Sequence, residues 1–421
     1  MQSFWKLCFG SAGVTAIRTL CAFLVNKVLA VLLGPAAFAL VGQFQNVIAL
    51  AQGASSLALQ NAWVSLTAQN KDDKNKLLGI WRGGYRISVY AMIAVSIIIA
   101  FAVFFAPLRT LFPGVPEKAV QAALLLMLPG IAATNLTLAC ASVMNGLGHY
   151  RRWAAISLGS TLIQTIWVIV LLYTQTLSLL SVIATQSILS VAIALPIAKG
   201  AGFKISDLKS AIAFKFESRI PWVKFAAMGL LPMVLSPIAL TIVRSYLGSH
   251  FGWQSAGLWQ GIYKISDFFS VGISSALGVV LLPRVSAKMN RAEFRKTFYP
   301  LLLRILALVA VCVVLFVVFR SFVIALFLST EFASAENLLQ WQLIGDFFRA
   351  GGWCCAMVLI AKQQMGKFAI AETFFTIFFV VCTILLSHQI GIFAPTIAYA
   401  AENLLYFVTT FIFVQTIKWE S

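Results

Sequence analysis

Long apolar runs, separated by short charged or turn-forming clusters, cover almost the whole chain. Read between those breaks, the pattern predicts twelve helices, over about 9–33, 36–66, 85–106, 119–145, 153–173, 178–198, 225–248, 257–283, 300–319, 338–361, 368–387 and 394–417. Each is near or beyond the roughly 20 residues that cross the hydrocarbon core of a bilayer. The strict alternation of a barrel strand is absent, and lipid offers no hydrogen-bond partner to open backbone. The expected fold class is therefore an all-α integral membrane bundle. Arg18 and Lys27 lie inside the first run, unlike the compact pattern of a cleaved signal sequence, so this helix is expected to be retained.

Composition agrees with that pattern. Of 421 residues, 61% are apolar and 10% charged, where soluble proteins have roughly 45–50% and about 25%. The unusual quantity is charge: 31 Lys and Arg stand against 13 Asp and Glu, a net +18. No basic, aromatic-interleaved soluble segment is present, which argues against a nucleic-acid partner. The seven cysteines (Cys8, Cys21, Cys140, Cys312, Cys354, Cys355, Cys382) fall in or beside apolar runs without ligand spacing and read as small buried hydrophobes. His149, His250 and His388 are scattered and form no metal set. There is no Gly-rich phosphate loop ending in Lys-Ser/Thr, so direct use of ATP is not expected and no cofactor is implied.

An even number of spans puts both termini on one side. That side collects 23 basic residues, from Lys6 through the clusters 71–86, 151–152, 199–224, 284–304 and 362–367 to Lys418; the other collects Arg109, Lys118 and Arg320. By the positive-inside rule the basic side, with both termini, is cytoplasmic. Most of the net charge is thus an orientation signal. Five bases remain inside spans: Arg18, Lys27, Arg244, Lys264 and Arg349.

The longest stretch between spans, 199–224, contains FKISDLKSAIAFKFESRIPW and reads as a basic, amphipathic connector on the cytoplasmic surface. It divides the chain into a six-helix lobe over 1–198 and a second over 225–421. The halves share spacings. Lys27 precedes Gln43 by sixteen residues and Arg244 precedes Gln260 by sixteen, at an offset of 217, while Gly148-His149-Tyr150 answers Gly366-Lys367-Phe368 at 218. Six spans per half makes the repeat parallel, about an axis along the membrane normal, and predicts a substrate cleft where the lobes face each other.

A charge at bilayer depth costs at least about 2.5 kcal/mol, so such residues face a wet cavity or a partner. Lys264 and Asp267 are three apart, on the face that carries Gln260; Asp346 and Arg349 are three apart, on the face of Gln342 and Trp353. Ion pairing within each helix and exposure to a cavity both remain open for these sets. Lys27 and Arg244 have no acid within one turn and are the foremost cavity candidates, whereas Arg18, nine residues before Lys27, points half a revolution away. Glu402 is either a packed neutral acid or one that titrates during transport. The stripe of Gln45, Gln52 and Ser56 in the second span is either helix-packing glue or a sugar-contacting surface.

The segments LGPAAFALVGQFQN at 33–46, GLWQGIYKISD at 257–267, GVVLLPRVSAKM at 278–289 and WQLIGDFFRAGG at 341–352 resemble Wzx-type polysaccharide flippases of the MOP exporter superfamily, in the branch that serves lipid III and O-antigen. The resemblance runs through nearly the whole chain. It implies a MATE-like, two-lobed transporter of the bacterial inner membrane that turns an undecaprenyl-pyrophosphate-linked oligosaccharide from the cytoplasmic to the periplasmic leaflet by alternating access. Carried onto this sequence, Trp259, Gln260 and Asp267 match one family motif and Trp341, Gln342 and Asp346 another, while Arg18, Lys27, Arg244 and Arg349 fall where the family places bases. Lys264 departs from the pattern.

The candidate pyrophosphate and cavity residues are therefore Lys27, Arg244, Arg349, Arg18 and Lys264. The candidate sugar-facing residues are Gln43, Gln52, Trp259, Gln260 and Gln342. Asp267, Asp346 and Glu402 are candidates for ion pairing or for coupling to H+ or Na+. A glycan polymerase and a chain-length regulator are conceivable partners. An ion-coupled small-molecule or drug exporter of the same superfamily is the rival reading, and would favour acids over bases in its cavity. A membrane enzyme of glycan polymerisation would need a large outer loop, which the pattern lacks.

Overall fold

The computed structural model describes residues 2–57, 59–174, 178–200, 202, 220–281, 284–285 and 290–417, and nearly all of these are helical. The helix Gln2–Ser56 passes through a break at Gly34 (φ 64°, ψ 175°), giving α1 over 2–33 and α2 over 35–56. After a second break α2 resumes as Gln60–Gln69. There follow α3 (Lys74–Phe105), α4 (Glu117–Gly146), α5 (Tyr150–Thr174) and an interrupted α6 (Leu179–Thr185 and Ser190–Lys199). The helix Ile220–Val280 breaks at Gly252 (φ 81°, ψ 152°) into α7 over 220–251 and α8 over 253–280. The chain closes with α9 (Arg291–Val318), a short helix Arg320–Phe327, α10 (Glu336–Ala361), α11 (Met365–Ile390) and α12 (Ala394–Gln415). Twelve long helical segments are thus found among the described residues, where the pattern predicts twelve spans; eight helical stretches, some of them joining two segments, are long and apolar enough to cross a membrane, and the chain is a multi-pass membrane protein. Of the connector expected over 199–224, residues 201 and 203–219 lie outside the described residues.

Helix ends differ from the apolar pattern where polar residues extend a span beyond lipid. α3 begins eleven residues before its apolar run because Asp73 caps it, accepting from the backbone N–H groups of Asn75 and Lys76 at 3.1 Å each. The Lys76 N–H, foremost, holds the Asp73 carboxyl below its ordinary value. α9 likewise starts early on a reciprocal cap, Glu293 N to Asn290 Oδ1 at 2.9 Å and Asn290 N to Glu293 Oε2 at 3.0 Å.

The two halves repeat their most unusual backbone feature. Gly34 and Gly252, 218 residues apart, each join two spans through a single residue in the left-handed region, where a side chain would be strained. Large apolar side chains such as Ile97, Ile98, Phe104 and Phe105 on α3, and Leu308 and Val318 on α9, are exposed at 65–78%, as a bilayer-facing surface requires.

Two compact units form, Met1–Val25 with Gln43–Ile238, and Asn26–Gly42 with Ala239–Ser421. The first has a core of Leu59, Trp63, Leu77, Trp81, Met144 and Ile156, in which Trp81 Nε1 donates to the buried Thr67 hydroxyl at 3.0 Å. The second has one core around Phe294, Phe298, Cys354 and Leu359 and another around Val243, Leu247, Trp259 and Tyr399. The segment 26–42, from the first half of the sequence, packs in the second unit. Its Phe38 meets Phe332 edge to face at 5.7 Å. Cys21, Cys140, Cys354 and Cys355 are buried free thiols.

Candidate functional site

In the second unit α8, α10 and α12 assemble a polar network within apolar surroundings. Asp346, fully buried on α10, accepts from the Ser266 hydroxyl of α8 at 2.7 Å and from the Tyr399 hydroxyl of α12 at 2.8 Å. One turn on, Arg349 pairs with the same carboxylate at 3.1 Å. Its guanidinium also lies 4.8 Å from the centre of the Trp353 ring and 5.5 Å from that of Tyr399. Gln342, one turn before Asp346, donates to Ser266 Oγ at 3.1 Å. The helices approach this closely because Tyr399, Tyr406 and Phe407 lie against Gly345, Gly352 and Gly351, where an added Cβ would collide with the rings.

Farther along α12, Glu402 accepts from Asn403 Nδ2 at 2.5 Å, and Glu372 on α11 accepts from the Tyr406 hydroxyl at 2.6 Å. Glu402 stands within electrostatic range of both Arg349 and Glu372.

Arg244, on α7, is fully buried. It donates through Nη2 to Gln260 Oε1, and its guanidinium lies 5.7 Å from the Trp259 ring centre. Lys264 follows Gln260 by one turn and interacts by charge with Asp267 and Arg244. Asp267 is exposed.

Lys27 does something different. Its ammonium donates to the carbonyls of Ala325, at 2.6 Å, and Leu328, which end the helix Arg320–Phe327. This is a favourable place for a cation, since the last carbonyls of a helix lack intrahelical partners and carry the negative end of its dipole. Lys27 and Arg244 are equivalent in the repeat, yet one closes a helix end and the other sits among an amide and an indole.

In the first unit, Gln43 is fully buried and Arg18 is exposed on α1. Gln52 faces a cavity of about 410 Å³ lined by α2, α3, α4 and α7. There its Nε2 donates to Asn135 Oδ1, and Asn135 Nδ2 donates to Ser55 Oγ at 2.9 Å.

The structure therefore brings Gln342, Asp346 and Arg349 into one network, and Arg244, Trp259 and Gln260 into one contact set. Within the second unit Lys27 lies instead against Ala325 and Leu328. Trp259, Gln260 and Gln342 are about 1% exposed; the first two lie against Arg244 and the third against Ser266. Sequence reasoning passed over Ser266, Tyr399, Tyr406 and Asn135. For α12 a signal was present, since Tyr399, Glu402, Asn403 and Tyr406 recur at helical spacing along one stripe.

No family model matches the chain. Two curated relatives do so end to end, the lipid III flippases of Escherichia coli (strain K12) and Shigella flexneri, each 26% identical over 413 residues that span 96% of this chain and 97% of theirs. Among solved structures, an inward-facing multidrug resistance MATE family transporter of the MOP superfamily superposes with a TM-score of 0.80 at 14% identity, covering 97% of both chains. The lipid II flippase MurJ in an inward closed conformation gives 0.69 at 15% identity, covering 98% of this chain and 88% of that one. The chain has the fold of these transporters.

Proposed function

We propose that this chain is a flippase that moves an undecaprenyl-pyrophosphate-linked oligosaccharide, of the lipid III or O-antigen repeat-unit class, from the cytoplasmic to the periplasmic leaflet of a bacterial inner membrane by alternating access. The observation that carries this reading is the end-to-end likeness to two lipid III flippases, on a fold shared with MurJ. The protein acts as a carrier, with both termini cytoplasmic according to its 23 to 3 distribution of basic residues.

The physical need is clear. A diphosphate diester carries about two negative charges, and an isolated ion costs tens of kcal/mol to strip of water. Fixed guanidinium and ammonium groups replace that water with charge-assisted hydrogen bonds. Arg244 and Arg349, both set against aromatic rings, are the groups assigned to this task, with Lys264 beside them; Lys27 and Arg18 would join only after leaving their present surroundings. Asp267, Asp346 and Glu402 are the acids through which an H+ or Na+ gradient would act.

Deleting the gene should make the lipid-linked oligosaccharide accumulate on the cytoplasmic side, and unchanged leaflet distribution would overturn the reading. Arg244→Ala should insert normally and fail to restore surface glycan, while Arg244→Lys restores part of it. Full restoration by the alanine variant would remove Arg244 from the mechanism without touching the wider assignment. The likeness to a multidrug transporter, with a TM-score of 0.80, supports a second reading as a small-molecule exporter. That reading requires the deletion strain to become drug-sensitive with its glycan intact.

A further inference from the structure

We infer that the neutral cavity of the first unit is a glycan subsite, which takes one or two uncharged or N-acylated pyranose rings at the head of the carried lipid. The inference rests on the flippase reading above and adds to it a place and a ligand chemistry.

The lining makes the first case. Within a mostly apolar lining, Gln52, Gln60 and Asn135 supply amides, Ser88 and Ser236 hydroxyls and Trp63 an indole, and no charged residue lines the cavity among the described residues. A diphosphate would find no cation here and an organic cation no carboxylate. Amides both donate and accept, which suits a polyhydroxylated ring, and an indole face suits the C–H side of a sugar. The volume, about 410 Å³, lies at the small end of the roughly 300–1,000 Å³ typical of ligand pockets, so it suits the first rings of a glycan rather than the whole chain.

Its polar groups are held in place. Asn135 is fixed at both ends of its amide, accepting from Gln52 and donating to Ser55, while the second N–H and the carbonyl of Gln52 retain capacity for a ligand. Such a pre-set pair lowers the ordering cost of binding.

The backbone beside the cavity is also unusual. α2 breaks between Ser56 and Gln60, both lining residues, with Leu57 at φ 49°. A leucine in the left-handed region is strained, and such residues cluster at ligand sites. Broken helices in membrane transporters are tolerated where they line a cavity, and there they mark substrate sites. Gln52 lies eighteen residues past Gly34, about 27 Å along α2. The cavity is therefore at the end of α2 remote from that turn, the cytoplasmic end in the proposed orientation, where an incoming head group is loaded.

The test uses the full-length protein in detergent and two probes, bare polyprenyl pyrophosphate and the same lipid carrying one N-acetylhexosamine. The wild type should bind the glycosylated lipid about tenfold tighter. That ratio should fall to about one in Gln52→Ala/Asn135→Ala and in the cavity-filling Ser88→Phe. It should survive in Thr161→Ala, a hydroxyl that bonds only its own helix, at Ser157 O. Variants that keep the tenfold preference overturn the subsite. A wild type that binds both lipids equally overturns the subsite and leaves the flippase reading standing, whereas one that binds neither removes both.

Discussion

The ion pair between Asp346 and Arg349 can be taken apart one charge at a time, and its asymmetry makes the outcome directional. Asp346 is 0% exposed and Arg349 15%. Breaking a buried pair by removing one partner costs about 3–5 kcal/mol, because the remaining charge is stranded. Asp346→Asn keeps an oxygen for Ser266 and Tyr399, and leaves Arg349 near Glu402 and over two aromatic rings, so its cost should fall to about 2–3 kcal/mol. Since 1.4 kcal/mol is tenfold, this is roughly a 30- to 150-fold shift in the unfolding equilibrium. Arg349→Met strands the more deeply buried partner and should lie at the upper end, about 4–5 kcal/mol. The double variant removes both charges and, with a coupling of about 3 kcal/mol that offsets the cost of Asp346→Asn, should be as stable as Arg349→Met alone or slightly more so.

Reversible unfolding in detergent, followed by near-ultraviolet circular dichroism, measures the stability cycle, and glycan restoration in cells measures transport. The expected result is a double variant no less stable than Arg349→Met, with transport still lost, since Arg349 is assigned to the anion. Additive stability costs would refute the pairing argument, and a double variant that also regains transport would reduce Arg349 to a counter-ion for Asp346.

Lys27→Met should loosen the end of the helix Arg320–Phe327 by about 1–2 kcal/mol, the worth of a well-placed cation at a helix C-terminus, and Lys27→Arg should preserve it. Hydrogen exchange at 325–328 reads this, and unchanged protection in the methionine variant would show that the ammonium does not hold the helix end. For α3, the lowered Asp73 carboxyl means that its cap is fully present above the ordinary carboxylate value near 3.8 and is lost as pH falls through the lower folded value. Asp73→Ala should therefore raise exchange at Asn75 and Lys76 at neutral pH and have no further effect in strong acid; equal protection in the two proteins at neutral pH would refute the cap.

What could be read from the sequence follows from what lipid forces on a chain. Spans are legible because each must be apolar for some twenty residues, and the twelve runs fall on twelve long helical segments among the described residues. The polar starts of α3 and α9 are not, because a helix beyond the bilayer has no reason to be apolar; only its caps, Asp73 and Asn290, mark it. The break in α6 between Thr185 and Ser190 carries neither Gly nor Pro and left no trace in the pattern. Charges inside spans stood out, and the three-residue spacing of Asp346 and Arg349 did identify a pair. Their other partners did not stand out, since Ser266 and Tyr399 are ordinary members of apolar helices.

The same limit bears on two of the candidate sets. Lys27 and Arg244 looked alike because a repeat copies backbone position, but a charge is defined by its partners. Those of Lys27, Ala325 and Leu328, come from a segment about three hundred residues distant that no local spacing encodes. The amides beside the charges are packed in this conformation, Gln260 accepting from Arg244 and Gln342 donating to Ser266. Gln52, Gln60 and Asn135 of the first unit, by contrast, line a cavity with no charged residue among the described residues. A polar side chain next to a buried ion is drawn into satisfying that ion, because an unpaired buried charge is far costlier than an unpaired amide. The glycan subsite proposed above follows from that difference, because no buried ion competes for the amides of its lining.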